Sequence, residues 1–187
     1  MNADLLPLIQ HTTREERLDH LNLAAQLEAI HPQSFGWAMA CCDRRREVAD
    51  DVLHDVYVKV LSREARFDGH SAFKTWLFGV IRRTASSARR RTKLHALLVI
   101  RREARIDRPA ALTSPEEDAM TNDRRDRTQR ALNKLSVRQR DVLHLVFYQD
   151  LTVEEAATIM GVSVGSARTH YHRGKSRMAT LLSGDRP

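Results

Sequence analysis

Four residues in the first third of the chain carry side chains that do hydrolytic or redox chemistry elsewhere: Cys41, Cys42, Asp51 and His54. Asp51 and His54, three apart, meet on one face of a helix, as an acid and the base it orients would. They lack what a hydrolase needs around them, since no Gly-rich phosphate loop, second carboxylate or oxyanion site is placed to use them. The two cysteines are adjacent in FGWAMACCDRRR, and neighbours on a helix point about 100° apart, so they do not form a staple. They read as small, semi-buried reduced thiols. Nine histidines are scattered without a second Cys pair or an HExxH, so no metal and no cofactor is expected. The chemistry-bearing residues thus point away from an enzyme.

A different kind of pattern lies near the other end, in VGSARTHYHRGKSR, Val164 to Arg177. Read as a helix capped by Ser163, it places Ala167, Tyr171, Gly174 and Met178 along one side. Ser166, Arg168, Thr169, His172 and Arg173 are left on the other. Small residues, then an apolar seam opposite a basic and hydrogen-bonding face, is what a helix needs to sit on its own domain and reach base edges. The segment before it, LTVEEAATIMG, supplies a partner helix. Thr152 is its cap, Glu155 three residues on completes a capping box, Ala156 and Ala157 allow a close crossing, and Gly161 takes the left-handed turn that ends it. Helix, tight glycine turn and basic second helix make a helix-turn-helix. Ser136 caps a further helix, with Val137, Val142, Leu143, Leu145 and Val146 on its apolar face.

The formal charge of +7 over 187 residues fits an acidic polymer as partner, because clustered Lys and Arg release counterions from phosphates. Only 5% of residues are aromatic and Gly and Pro are few, which favours helix over sheet. The length allows two small domains. From Val48 to Leu61 the residues Val48, Val52, Leu53, Val56, Tyr57, Val60 and Leu61 recur at helical steps. Asp50, Asp51, His54, Asp55 and Lys59 take the outer face. The turn FDGHSAF, Phe67 to Phe73, follows, and Trp76, Leu77, Val80 and Ile81 restart an apolar face on a helix that turns basic from Arg82 to Arg108. Aromatic side chains beside a polar loop and a basic helix suit phosphate contacts with base stacking. Arg108 to Arg127, with Pro109 and Pro115 and few large apolar residues, reads as a linker. Within it Ser114 is placed to cap a short helix whose first turn holds Glu116, Glu117 and Asp118. No run of about 18 apolar residues is present to span a bilayer, and the first residues lack a signal-peptide pattern, so a cytoplasmic protein without membrane insertion is expected.

With these residues in place, the sequence resembles the extracytoplasmic-function (ECF, group IV) sigma factors of the bacterial sigma-70 family, from about Leu21 to Leu182. ADDVLHDVYVKV, Ala49 to Val60, is similar to the acidic helix that docks on the beta-prime clamp helices of RNA polymerase. The resemblance implies polymerase contacts at Asp50, Asp51, His54 and Asp55, with the beta flap as a second contact. FDGHSAFKTWLFGVIRR, Phe67 to Arg83, is similar to the loop and helix that melt and recognise the minus-10 element. It implies roles for Phe67, Phe73, Lys74, Trp76, Arg82 and Arg83, with the loop holding a flipped-out base of the non-template strand. The block from LNKLS to GKSRM is similar to the minus-35 reader, with Arg168, Thr169, His172 and Arg173 facing DNA. Departures fall at His54, where the family usually has Gln, at Arg83, where it usually has Asn, and in SSARRR, Ser86 to Arg91, which is more polar than usual.

What the resemblance implies is an all-α protein of two small helical domains joined by a flexible linker. Residues 1–20 form a tail, 21–104 the region 2 domain, 105–127 the linker and 128–187 the region 4 domain. Its partners would be core RNA polymerase, promoter DNA and an anti-sigma factor. The alternative, a LuxR-type regulator, shares the helix-turn-helix but would carry a receiver or ligand-binding domain in place of the acidic helix and FxxxxxFKTWL.

Overall fold

The computed structural model describes residues 14–100 and 119–183, with side chains for 22–92 and 126–183. The described residues form eight helices and no strand: α1 Arg14–Ala29, α2 His31–Cys41, α3 Arg46–Leu61, α4 Phe73–Ile100, α5 Ala119–Asn133, α6 Val137–Phe147, α7 Val153–Met160 and α8 Val164–Ser183. The proposed helix at Ser114 and Pro115 lies outside the described residues. Helix α5 already begins at Ala119, inside the segment read as linker, and α1 begins at Arg14, inside the segment read as tail.

The first half is a bundle in which α2, α3 and α4 pack on one another and α1 lies on α2 and α3. Helix α3 forms where the periodicity places it, with Val52, Leu53, Val56 and Val60 buried. Glu47 in its first turn and Lys59 in its last complement the helix dipole. On α4, Leu77, Phe78 and Ile81 are fully buried, and Trp37 of α2 donates its indole N–H to the Phe78 carbonyl at 3.0 Å. A buried indole must find such an acceptor, so this bond fixes α2 against α4. Cys41 and Cys42 are both buried, and burial pushes both thiols up, Cys41 well above the ordinary range. A thiol kept protonated is a poor nucleophile, which matches a packing role.

In the second half α6, α7 and α8 pack on one another and α5 lies on α8. Ser136 caps α6 with Gln139 completing a capping box, and Thr152 and Glu155 form the box that starts α7. Gly161 ends α7 at φ 63° and ψ 43°, a conformation that costs glycine little. Ala167 and Gly174 of α8 are buried. A Cβ at Gly174 would lie 3.2 Å from Leu143 Cδ1, so α8 packs closely on α6 here and even an alanine would require Leu143 to shift by a few tenths of an ångström.

The halves do not stand apart. Helix α7 packs on α4 and α6 on α2, and one apolar cluster runs from Trp37, Val56 and Phe78 into Val142, Leu145, Ala156, Ile159 and Met160. This seam is long-range in sequence, and it places α7 over α4 and α6 over α2.

Candidate nucleic-acid interfaces

Three surfaces emerge from this arrangement. On α8, Ser166, Arg168, Thr169, His172 and Arg173 are all exposed on one face while Ala167 and Gly174 are buried on the other. Tyr171 is held in between, stacked on Phe147 at 6.0 Å with Lys175 Nζ 5.3 Å from its ring centre. Ser163 starts the helix by accepting from the Ser166 N–H at 3.2 Å. The N-terminal turn of α8 therefore projects a cationic and hydrogen-bonding edge, the geometry by which a helix reads a major groove. One cation on it is already engaged. Arg168 donates to Glu154 of α7 at 2.7 Å, and that contact holds the Glu154 carboxyl below its usual range. The sequence offers Glu154 only as a first-turn acid of α7, because a pair with Arg168 fourteen positions apart across a turn has no periodic signature.

The second surface is aromatic. Phe67, Phe73 and Trp76 form a triangle with ring centres 5.4 to 5.5 Å apart. It walls a cleft of about 510 Å³ that Asn22 and Gln26 of α1 also line. Gly69 at φ 76° and Arg63 at φ 60° make the loop's sharp turns, and Asp68 Oδ1 accepts from the His70 N–H at 3.1 Å. Stacking faces beside amide groups are what a pocket for an unstacked base requires. Arg83 is exposed. Lys74 and Arg82 are not turned toward the cleft. Lys74 donates to the Gln149 carbonyl at 2.8 Å, and Arg82 donates to Asp141 Oδ2 at 3.1 Å and the Met160 carbonyl at 3.0 Å. The six residues of the minus-10 expectation thus divide into an aromatic trio, one free cation face at Arg83 and two cations bonded into the other half. The partners Asp141 and Gln149 also went unnoticed in the sequence.

The third surface is the outer face of α3, where Asp50, Asp51 and His54 are exposed and Asp55 is half-buried beside Lys59 at 2.9 Å. Arg46 lies 3.8 Å from Asp50, but with side chains 80% and 56% exposed such a pair is worth little and leaves the carboxylate available. Asp51 and His54 make no ordered pair with a third group, as catalysis would need. Among the described residues no group of three His, Cys, Asp or Glu could hold a metal ion, and no helix is long and apolar enough to cross a membrane.

Comparison with known proteins assigns both halves. The Sigma-70 region 2 model matches residues 27–94 and the Sigma-70, region 4 model matches residues 125–178. Together they cover more than half of the chain. RNA polymerase sigma factor YlaC of Bacillus subtilis is 28% identical over 140 residues, 75% of this chain and 80% of that protein. ECF RNA polymerase sigma factor SigM of Mycobacterium tuberculosis is 26% identical over 186 residues, 94% of this chain and 90% of that protein. A solved structure of the sigma factor RpoE in complex with the anti-sigma factor NepR from Bartonella quintana has the same fold. Its TM-score is 0.71 at 22% identity, over 88% of this chain and 99% of that one. A region 2 match over the first half separates the chain from LuxR-type regulators, whose helix-turn-helix alone it shares. The chain belongs to the sigma-70 family, as an ECF sigma factor.

Proposed function

We propose that this sigma factor, of the group IV class, binds core RNA polymerase through the acidic face of α3 and directs it to a two-part promoter, with no chemistry of its own. Residues 21–104 act as the docking and minus-10 domain, and residues 128–187 as the minus-35 domain. The segment between them is the connector, and residues 1–20 are the leading tail. Asp50, Asp51, His54 and Asp55 contact the beta-prime clamp helices, and the region 4 domain meets the beta flap. Arg168, Thr169, His172 and Arg173 read the minus-35 element. A bidentate arginine–guanine contact contributes about 1 to 3 kcal/mol of discrimination. Phe67, Phe73 and Trp76 receive an extruded base, and Lys74, Arg82 and Arg83 hold the neighbouring strand. Control by an anti-sigma factor, the partner with which the Bartonella relative was solved, fits the same surfaces. The polymerase and its template put the site of action in the cytoplasm.

The observation that carries this reading is the separation of an exposed acidic face on α3 from an exposed basic face on α8, each opposite a buried seam. The experiment is a split of the two activities. Arg168→Ala or Arg173→Ala is expected to abolish promoter-specific initiation with core affinity intact. Replacing Asp50 and Asp51 together by Arg is expected to abolish core affinity with minus-35 binding intact. Loss of core binding in the α8 variants, or unchanged core affinity in the α3 variant, would overturn the assignment.

A further inference from the structure

The cleft beside the aromatic trio has walls of two kinds. Phe67, Phe73 and Trp76 supply ring faces, Arg63 and Arg66 of the preceding loop supply cations, and no carboxylate is among the described residues that line it. Rings and guanidiniums of this kind attract any nucleotide, because every base has a π-face and every nucleotide carries a phosphate. They do not tell one base from another. The other kind of wall comes from α1, through Asn22, Leu23 and Gln26.

The periodicity of α1 builds that wall. Leu23 packs half-buried against the core and Leu27 is buried, which pins the helix to α2 and α3. Asn22 and Gln26, four apart, therefore share one strip of its surface. Asn22 is exposed and Gln26 half-buried, and Gln26 Nε2 donates to Asn22 Oδ1 at 3.2 Å. Each carboxamide has two N–H donors and an oxygen with two lone pairs. The bond between them uses one of each and leaves donors on Asn22 beside an acceptor on Gln26. It also orders two side chains ahead of any ligand, which lowers the entropy that binding must overcome.

A donor next to an acceptor is the pattern by which carboxamides pair with adenine, whose amine lies beside a ring-nitrogen acceptor. Cytosine carries an amine on a smaller ring and covers less of the three aromatic faces. Guanine and thymine present a carbonyl oxygen where that amine would be.

We propose that Asn22 and Gln26 of α1 are the base-selecting residues of this cleft, and that the base they select is adenine. The aromatic trio holds the base by its faces and the amide pair reads its edge. This rests on the reading of the cleft as the pocket for an extruded base, and it adds a contact from outside Phe67 to Arg83, the segment to which minus-10 recognition was assigned.

The test uses the full-length chain and short labelled single strands whose only base, at the centre, is adenine, cytosine, guanine or thymine. Their flanks are abasic, so phosphate contacts are common to all, and a fully abasic strand is the reference. Fluorescence anisotropy gives the affinities, and quenching of Trp76 emission reports entry into the cleft. The adenine strand is expected to bind more tightly than the guanine and thymine strands by roughly five- to 150-fold, the worth of one bidentate edge contact. Asn22→Ala combined with Gln26→Ala should make the four bases equivalent. Alanine keeps α1 helical at these positions, which circular dichroism checks. Trp76→Ala, followed by anisotropy, should bring every strand down toward the abasic reference.

A wild-type preference for another base, no preference at all, or an adenine preference that survives the double replacement overturns the proposal. In each of these cases the pocket reading still stands if Trp76→Ala removes the advantage of strands with a base over the abasic one. If strands with a base bind the wild-type chain no better than the abasic strand, the pocket reading itself fails and the proposal goes with it.

Discussion

On α8, Arg168 meets a carboxylate at 2.7 Å with both side chains more than half exposed, 61% and 53%. On α4, Arg82 meets one at 3.1 Å with the pair 23% and 6% exposed. The chemistry is the same and the surroundings are not. Water screens the first pair, so Arg168 can part from Glu154 at little cost. The second pair sits in a seam with Leu145, Ile159 and Met160, where desolvation dominates and pushes the Asp141 carboxyl up despite the arginine beside it. Neither partner of such a pair leaves singly without penalty. The two arginines thus differ in how readily they leave their counter-charges, because of what packs around each pair.

If this contrast is right, substitutions along the seam should act on stability and those on the open face should act on DNA. The largest effect is expected for Trp37→Ala, which removes a fully buried indole, its bond to the Phe78 carbonyl and its contact with His144 at 5.4 Å. A loss of about 3 to 5 kcal/mol in urea unfolding is expected. A loss under about 1 kcal/mol would mean that the seam is not packed as described.

Next comes pH. His144 lies in the seam between Trp37, Tyr148 and Gln149, and burial first, with Arg44 adding to it, pushes its ring down to about 4. The unfolded chain takes up this proton near the ordinary 6.5, before the folded one does. Stability from this group is therefore complete above about pH 6.5 and is lost as pH falls toward 4, by at most about 3 kcal/mol. The raised Asp141 works in the opposite sense at the acid end, since the folded state binds its proton more readily. His144→Gln should flatten the decline between pH 6.5 and 4 in denaturant titrations. An unchanged profile would remove His144 from the seam.

The smallest effect on stability is expected for Glu154→Gln, because water screens its surface pair with Arg168. Its consequence should appear instead in minus-35 binding, as a changed preference at the position read by Arg168, measured on duplexes substituted one base pair at a time. A change in stability with no change in preference would reverse the roles assigned to the two faces.

Much of the machinery on the open side was legible in the sequence because its signals are local. The boxes at Thr152 and Glu155, the left-handed Gly161 and the burial of Ala167 and Gly174 opposite Arg168 and His172 each follow from spacings of a few residues. The acidic α3 was legible for the same reason. The seam was not. Arg82 and Asp141 are 59 positions apart and Lys74 and Gln149 are 75 apart, and nothing in helical periodicity pairs them. Lys74 and Arg82 were expected to face promoter DNA, whereas tertiary packing placed both against the second half. The early start of α5 at Ala119 escaped because AMTNDRRDRTQR has few large apolar residues to mark a buried face.

The measurement that bears most directly on the central claim is run-off transcription with purified bacterial core polymerase, on a template carrying the DNA upstream of this protein's own coding region. Initiation from a fixed start site that depends on the added protein is expected, lost with Arg168→Ala and with the Asp50 and Asp51 double replacement. A protein that neither binds core polymerase nor directs any initiation would contradict it.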